Sequence, residues 1–265
     1  MKNRKYTRSI ITFIWSCFII VPTYGAIDTK DLAKGVIHIS YSSPAKARAK
    51  VMIEKDKDKY TYNLDATGKV ESYPLQLGNG TYKVSVLENT TGSKYKLIES
   101  ENVTLNMTNP NDVYLASIQN VEWDTDSEVI KKGKQLTASI NESPKKVSTL
   151  YDYVVQGYAY DYKKLATLPT TYLPVIDKTF KEKAGICYDF SALYASMLRS
   201  QGTPTKLVKG YTPNAQGYHA WNEAYDAKTG EWAIIDTTYD LQVIKGNKAV
   251  KMKKSSKDYQ KVNEY

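Results

Sequence analysis

The sequence predicts an α+β protein in which a small all-β sandwich precedes a domain of mixed helices and strands. Between residues 35 and 115, short runs of alternating apolar and polar residues are separated by polar turns, as is typical of an antiparallel sandwich. After residue 120 apolar residues recur at intervals of three and four, as is typical of amphipathic helices. We therefore expect two domains, a sandwich over 27–120 and an α+β domain over 121–245.

The first 26 residues are predicted to be an export signal. Four basic side chains precede the apolar run of 12 residues from Ile10 to Val21, which Pro22 ends. The small residues Gly25 and Ala26 follow where a signal peptidase would cut. The run is too short to span a bilayer, which needs ~20 apolar residues. We expect a secreted protein, extracellular or associated with the cell wall, with no membrane span after cleavage.

Removal of the signal changes the net charge and the cysteine count. The charge falls from +9 to +5, because four basic and no acidic side chains leave with residues 1–26. That mild, diffuse excess is compatible with an anionic cell envelope and does not argue for nucleic acid. Of the two cysteines only Cys187 remains. An exported protein with one cysteine cannot form an internal disulfide, so this thiol needs another explanation.

The sandwich carries no pattern that suggests catalysis, and we interpret it as an immunoglobulin-like accessory module. His38 lies on the polar face of its first strand and is expected to be exposed to solvent. Alternation and turn residues predict strands at 36–41, 50–54, 59–64, 82–86, 94–98 and 103–107.

Helical spacing dominates the next part of the chain. Residues 127–140 are predicted to be helical, and Ser143 followed by Pro144 indicates the N-cap and first turn of a second helix. The residues after 245 are rich in lysine, so we expect 246–265 to be a solvated, weakly ordered tail.

Cys187 is predicted to lie at the start of a helix that is buried on one side. Apolar residues follow it at helical spacing until Gly202 and Pro204 stop the helix. The unpaired N–H groups and the dipole of a helix N-terminus stabilise a thiolate, and they can also hold a developing oxyanion. Asp189, two residues further on, is most simply an acid in the first turn that the helix dipole favours.

Two predicted strands, 218–225 and 231–239, form a hairpin across the loop 226–229. If Tyr225 pairs with Gly230, the register places His219 directly opposite Asp236. A half-buried carboxylate beside a histidine fixes the ring orientation and leaves the other nitrogen for a partner. We expect that partner to be Cys187, packed over the sheet.

A cysteine, a histidine and an aspartate in this order resemble the transglutaminase-like superfamily, a branch of the papain-like cysteine enzymes. The resemblance extends over about residues 121–245. It implies a papain-like core, in which the helix that carries the cysteine packs on an antiparallel sheet. It further implies that Cys187 is the nucleophile, His219 the general base and Asp236 the carboxylate that orients the histidine. The motifs that carry it are 185–193, 198–204, Gly210-Tyr211, 219–221, Trp232 and 235–238.

These residues predict an enzyme that transfers acyl groups from protein or peptide amides through a Cys187 thioester, with amine or water as acceptor. No cofactor is needed, and a zinc site is improbable because one cysteine and two separated histidines lack metal-ligand spacing. Two alternatives stay open at this point. One is a cysteine peptidase or amidase acting on proteins or cell-wall peptides, and the other is a non-catalytic surface binding module.

Overall fold

The computed structural model describes residues 25–265. The predicted export signal lies outside these residues, apart from Gly25 and Ala26, which begin the first strand. Seven strands come first in the chain: β1 (Gly25–Asp28), β2 (Val36–Tyr41), β3 (Ala49–Lys55), β4 (Asp58–Leu64), β5 (Glu71–Pro74), β6 (Gly80–Thr91) and β7 (Lys94–Leu105).

These strands form two antiparallel sheets with one hydrophobic core between them. The sheets have the strand orders β1-β2-β5 and β4-β3-β6-β7. Alternate residues of β2, β3 and β6 are fully buried, because side chains of a strand point to opposite faces and one face of each sheet meets the other. The prediction of an all-β N-terminal region is confirmed. Three details were wrong, since β1 and β5 were not predicted and β7 is one continuous strand rather than two.

A mixed region follows a short 3₁₀ helix at Pro110–Leu115. The elements are α1 (Glu128–Leu136), α2 (Ser143–Gly157), β8 (Ala159–Tyr160), α3 (Tyr162–Leu165), α4 (Ile176–Glu182), β9 (Ala184–Gly185), α5 (Cys187–Arg199), β10 (Thr205–Tyr211), β11 (His219–Asp226), β12 (Glu231–Ile235), α6 (Thr237–Lys245) and β13 (Gln260–Glu264). The sheet is antiparallel, with the order β12-β11-β10-β13, and the two short strands β8 and β9 pair in parallel.

Helix α5 is the centre of this region. Every residue from Asp189 to Arg199 is buried, because α1, α2, α4 and α6 surround the helix and the sheet covers the remaining side. Leu207, Ala224 and Ile235 contribute the sheet's share of this second hydrophobic core. The α+β fold and the helix that begins at Cys187 are as predicted. Helix α2 begins one residue early, with Glu142 rather than Ser143 as its N-cap.

The prediction of a weakly ordered C-terminal tail is wrong for its last residues. Strand β13 pairs with β10 and forms the edge of the sheet in the α+β region. The buried Arg199 side chain donates hydrogen bonds to the backbone oxygens of Ala116, Thr205 and Tyr265, at 2.7–2.8 Å. The high lysine content suggested a solvated segment. In the structure, however, the Lys261 ammonium binds the carboxylates of Glu223 and Glu264.

The antiparallel pairing of β13 with β10 has a register shift between Lys209 and Gly210. A Cβ atom at Gly210 would come 2.0 Å from the Gln260 carbonyl oxygen and 2.8 Å from the Trp221 ring. Glycine is therefore required here because the two backbones approach too closely for a side chain.

The C-terminal strand also joins the two regions. The Tyr60 hydroxyl accepts a hydrogen bond from the Glu264 N–H, and Tyr114 donates one to the Glu264 carboxylate. Tyr265 packs edge-on against Tyr60 and Tyr62 of the sandwich. The sandwich and the α+β region thus share a buried contact rather than a bare linker. Within residues 25–265, no helix is both long and apolar enough to cross a bilayer.

Candidate active site

Cys187 is the first residue of α5 and is half-buried. The first backbone hydrogen bond of this helix runs from the Phe190 N–H to the Ile186 carbonyl, at 3.1 Å. The N–H groups of Cys187 and Tyr188 precede that bond, so the helix offers them no acceptor of its own. The thiol therefore lies beside unpaired donors and the positive end of the helix dipole, as predicted.

His219 and Asp236 meet, although the predicted strand register is wrong by two residues. Tyr225 pairs with Trp232, not with Gly230. The reason is that Gly230 adopts a left-handed conformation (φ 74°) inside the loop, and its N–H donates to the Asp226 carbonyl at 2.8 Å. Since side chains alternate with period two, a shift of two keeps both residues on the predicted face. The His219 Nε2 lies 2.9 Å from the Asp236 Oδ2 along a diagonal.

The Asp236 carboxylate is buried completely and held by three donors. Asp236 lies directly between β12 and α6. It is the N-cap of α6, because its Oδ1 accepts a hydrogen bond from the Tyr239 N–H at 2.9 Å. Its Oδ2 accepts the Tyr259 hydroxyl at 2.9 Å, in addition to the His219 ring. A carboxylate fixed in this way allows the histidine one orientation only.

The protonation of His219 reflects these neighbours. Burial lowers the pKa of the imidazole, but the hydrogen bonds with Asp236 and Cys187 and the negative charge of both partners outweigh burial and raise it to about 10. Because Nε2 is bound to Asp236, Nδ1 is the nitrogen left for the thiol. The structure thus brings Cys187, His219 and Asp236 together, and their catalytic roles stay a prediction.

Asp189 makes more contacts than the sequence predicted for an acid in the first turn of a helix. Its carboxylate is fully buried and accepts the Ile186 N–H at 2.9 Å, which fixes the backbone just before the cysteine. It also binds the Lys164 ammonium at 2.6 Å and the Tyr172 hydroxyl. Residues from α3 and from the segment before α4 are therefore tied to the first turn of α5.

Two further ionisable groups lie close enough to the thiol to be influenced by its charge. Tyr160 on β8 has its pKa raised to about 12, first by burial and then by the charge of Cys187. Lys209 on β10 has its pKa lowered to about 8 by burial, against a smaller rise caused by the charge of Cys187. The Lys209 ammonium lies 3.5 Å from the centre of the Tyr188 ring.

Sequence reasoning missed Tyr259, Lys209 and the partners of Asp189. A signal for Lys209 was present, since it continues the face on which Leu207 meets the core, and a lysine on an apolar face is unusual. Tyr259 gave no comparable signal, because it follows a loop rich in lysine and serine. Within residues 25–265, no three His, Cys, Asp or Glu side chains are grouped as metal ligands would be.

Comparison with protein families places this site inside a known pattern. Residues 131–237 match the transglutaminase-like superfamily, and this range contains Cys187, His219 and Asp236. No curated protein is similar to the chain at a significant level.

Solved structures with a related chain path have low identity to this protein. A protein from Cytophaga hutchinsonii proposed to be a cysteine protease is 18% identical, with a TM-score of 0.43 over 77% of this chain and 74% of its own. The periplasmic domain of TgpA from Pseudomonas aeruginosa is 13% identical, with a TM-score of 0.42 over 82% and 94%. Red sea bream transglutaminase is 12% identical, with a TM-score of 0.32 over 77% and 48%. Residues 131–237 of this chain form a domain of the transglutaminase-like superfamily.

Proposed function

We propose that this protein is a secreted cysteine acyltransferase that uses Cys187 as nucleophile, His219 as acid and base, and Asp236 as the orienting carboxylate. The observation that carries the proposal is the buried imidazole, which is hydrogen-bonded to Asp236 on one side and interacts with the thiol on the other. A histidine with a pKa of about 10 is protonated at neutral pH, and in the proposed mechanism the sulfur reacts as the thiolate beside this imidazolium.

In the acylation step the Cys187 thiolate attacks the carbonyl carbon of a carboxamide. A carbon–sulfur bond forms, and the carbonyl oxygen becomes an oxyanion. The N–H groups of Cys187 and Tyr188 at the start of α5 are the donors available to it. When the carbon–nitrogen bond breaks, the imidazolium proton of His219 passes to the leaving amine, which leaves a thioester and a neutral imidazole.

In the second step His219 takes a proton from the acceptor as that acceptor attacks the thioester. A lysine amine as acceptor gives an amide cross-link, whereas water gives a carboxylic acid. In both cases the sulfur leaves as thiolate and the imidazolium is restored, so the cycle consumes no cofactor. We propose protein or peptide substrates outside the cell, because the first 26 residues have the features of an export signal.

The test is incubation with a glutamine-containing peptide and a fluorescent primary amine, followed by mass spectrometry of the peptide. Transfer predicts a peptide that carries the amine, with release of ammonia. Deamidation of the glutamine, or cleavage of the peptide bond, would assign water as the acceptor. The Cys187→Ser variant is the negative control and His38→Ala is the matched histidine control. If wild type and Cys187→Ser are equally inactive on a panel of peptides, the enzymatic proposal is wrong.

A further inference from the structure

Within residues 25–265, one lysine near the thiol has no carboxylate partner. Lys209 precedes Gly210 on β10, and its ammonium is half-buried between the Tyr188 ring at 3.5 Å and the Tyr265 ring at 5.2 Å. Among residues 25–265, no carboxylate pairs with this ammonium and no acceptor receives a hydrogen bond from it. Besides the two rings, the charge of Cys187 is what stabilises it.

Other lysines with little exposure in this region differ in this respect. Lys164 binds Asp189 at 2.6 Å, Lys206 binds Glu264 at 3.0 Å, and Lys254 binds Asp240 at 2.5 Å. A buried ammonium loses hydration, and an opposite charge normally offsets that loss. Lys209 thus lacks the carboxylate partner that each of these other lysines has.

The Lys209 ammonium lies close to the thiol, since the Tyr188 ring that it contacts belongs to the residue after Cys187. Lys209 shares its side of β10 with Leu207, which packs in the core around α5, and Cys187 begins that helix. The two tyrosine rings hold the ammonium by cation–π contact, which restrains a long side chain but satisfies none of its three N–H donors. An incoming carboxylate could supply both the missing charge and the missing acceptors.

We propose that Lys209 binds a carboxylate of the acyl donor, so that the enzyme prefers peptides with a negative charge next to the reacting amide. This inference rests on the proposed function, since it assigns the substrate class of the same site. The free energy that the unpaired ammonium loses on burial is regained when the donor binds. Neutral donors gain no such contact and therefore react with a higher KM.

Two alkylating agents test the inference without a known substrate. Iodoacetate and iodoacetamide present the same electrophilic carbon to the thiolate and differ in carrying a carboxylate or a neutral amide. The quantity to measure is the ratio of their rates at Cys187, with the denatured protein as reference for intrinsic reactivity. We expect Lys209→Met to lower this ratio on the order of tenfold, or about 1.4 kcal/mol. Lys209→Arg should retain the ratio, because it keeps the charge.

The control is Lys83→Met on β6, which removes one exposed positive charge far from the thiol and should leave the ratio unchanged. If Lys209→Met slows both reagents equally, Lys209 acts on the thiolate and does not recognise a carboxylate, and the inference is overturned. If wild-type Cys187 reacts with neither reagent faster than the denatured protein does, the proposed function fails as well. The two failures are therefore distinguishable.

Peptide donors then identify where the carboxylate comes from. Three peptides share one glutamine and differ in a neighbouring glutamate with a capped C-terminus, a free C-terminal carboxylate with no acid, or neither. Lys209→Met should raise KM for whichever charged donor wild type prefers, and leave the neutral donor unaffected. Equal KM values of wild type for all three donors would contradict the proposal.

Discussion

The sandwich and the α+β region each contain a histidine bound to an aspartate, at similar distances. In the sandwich the His38 Nε2 lies 2.8 Å from Asp31, and in the α+β region the His219 Nε2 lies 2.9 Å from Asp236. Each ring also has a nucleophilic group at its second nitrogen. His38 Nδ1 lies 2.9 Å from the Ser72 hydroxyl, whereas His219 interacts with the Cys187 thiol.

The surroundings of the two pairs differ more than the pairs themselves. The side chains of His38 and Asp31 are 15% and 29% exposed, so His38 is less exposed than expected but remains in contact with solvent, whereas those of His219 and Asp236 are 6% and 0% exposed. Asp31 is held by Lys34, a mostly exposed side chain, whereas Asp236 is held by the Tyr239 N–H and the buried Tyr259.

The nucleophiles also occupy different positions. Ser72 lies inside β5, an edge strand that pairs with β2, and it borders a cavity of about 680 Å³. Cys187 begins a helix whose first N–H groups are unpaired. The comparison teaches that a histidine–aspartate contact does not by itself make a site. Burial, a fixed carboxylate and free donors beside the nucleophile distinguish the second pair.

The largest difference is expected in activity. Asp236→Asn should lower the rate of acyl transfer by ~10³–10⁴-fold, because the amide favours the wrong tautomer of the histidine. The matched change Asp31→Asn should leave the rate unchanged. Both are measured as kcat/KM with the best peptide donor. A comparable loss in the two variants would erase the distinction between the pairs.

The pH dependence should differ in direction. His219 has a pKa raised above its ordinary 6.5 to about 10, so its contribution to stability is complete below pH 6.5 and is lost as the pH rises through 10. Hydrogen bonds from Lys34 and His38 lower the pKa of Asp31 from 3.8, so its contribution is present above 3.8 and is lost at more acidic pH. Denaturant unfolding from pH 3 to 11 measures both. Asp236→Asn should remove the alkaline part of the loss, and an unchanged alkaline limb would count against the assignment.

The hydrogen-bond donors to the two carboxylates should also differ in how much they contribute to the free energy of unfolding. Tyr259→Phe removes a buried hydrogen bond to a charged group and should cost ~1.5–3 kcal/mol of unfolding free energy. Lys34→Met removes an exposed contact to Asp31 and should cost ~0–1 kcal/mol. Urea denaturation compares them directly. Equal costs would mean that Tyr259 contributes no more to its carboxylate than a surface lysine does.

The smallest effect concerns Ser72. We expect Ser72→Ala to change neither acyl transfer nor hydrolysis of a small activated ester, because the hydroxyl lies within a strand and not at the N-terminus of a helix. The ester assay is best done in Cys187→Ser, so that the thiol does not contribute. Loss of a measurable esterase activity on Ser72→Ala would reveal a second nucleophile in the sandwich.

Much of this site could be predicted from local sequence patterns. Helical spacing after Cys187 placed the thiol at a helix start, and alternation placed His219 and Asp236 on one face despite the wrong register. Both signals depend on short-range periodicity, which burial enforces.

The missed groups depend on contacts distant in sequence. Tyr259 reaches Asp236 only because β13 returns to the edge of the sheet, and a lysine-rich segment gives no hint of that pairing. The register error has a local cause that spacing alone does not reveal, namely the left-handed Gly230 in the hairpin loop. Lys209 was not predicted because the sequence does not show which lysines have a carboxylate partner in the fold.

The central proposal is that Cys187, the sole cysteine of residues 25–265, acts as a nucleophile beside the protonated His219 ring. The most direct measurement is the rate of Cys187 alkylation by iodoacetamide at pH 7, in native and in urea-denatured protein, with the label located by mass spectrometry. An ordinary cysteine is only a few per cent ionised at this pH, so the native thiol should react faster by about 3- to 30-fold. A native rate equal to or below the denatured rate would contradict the account.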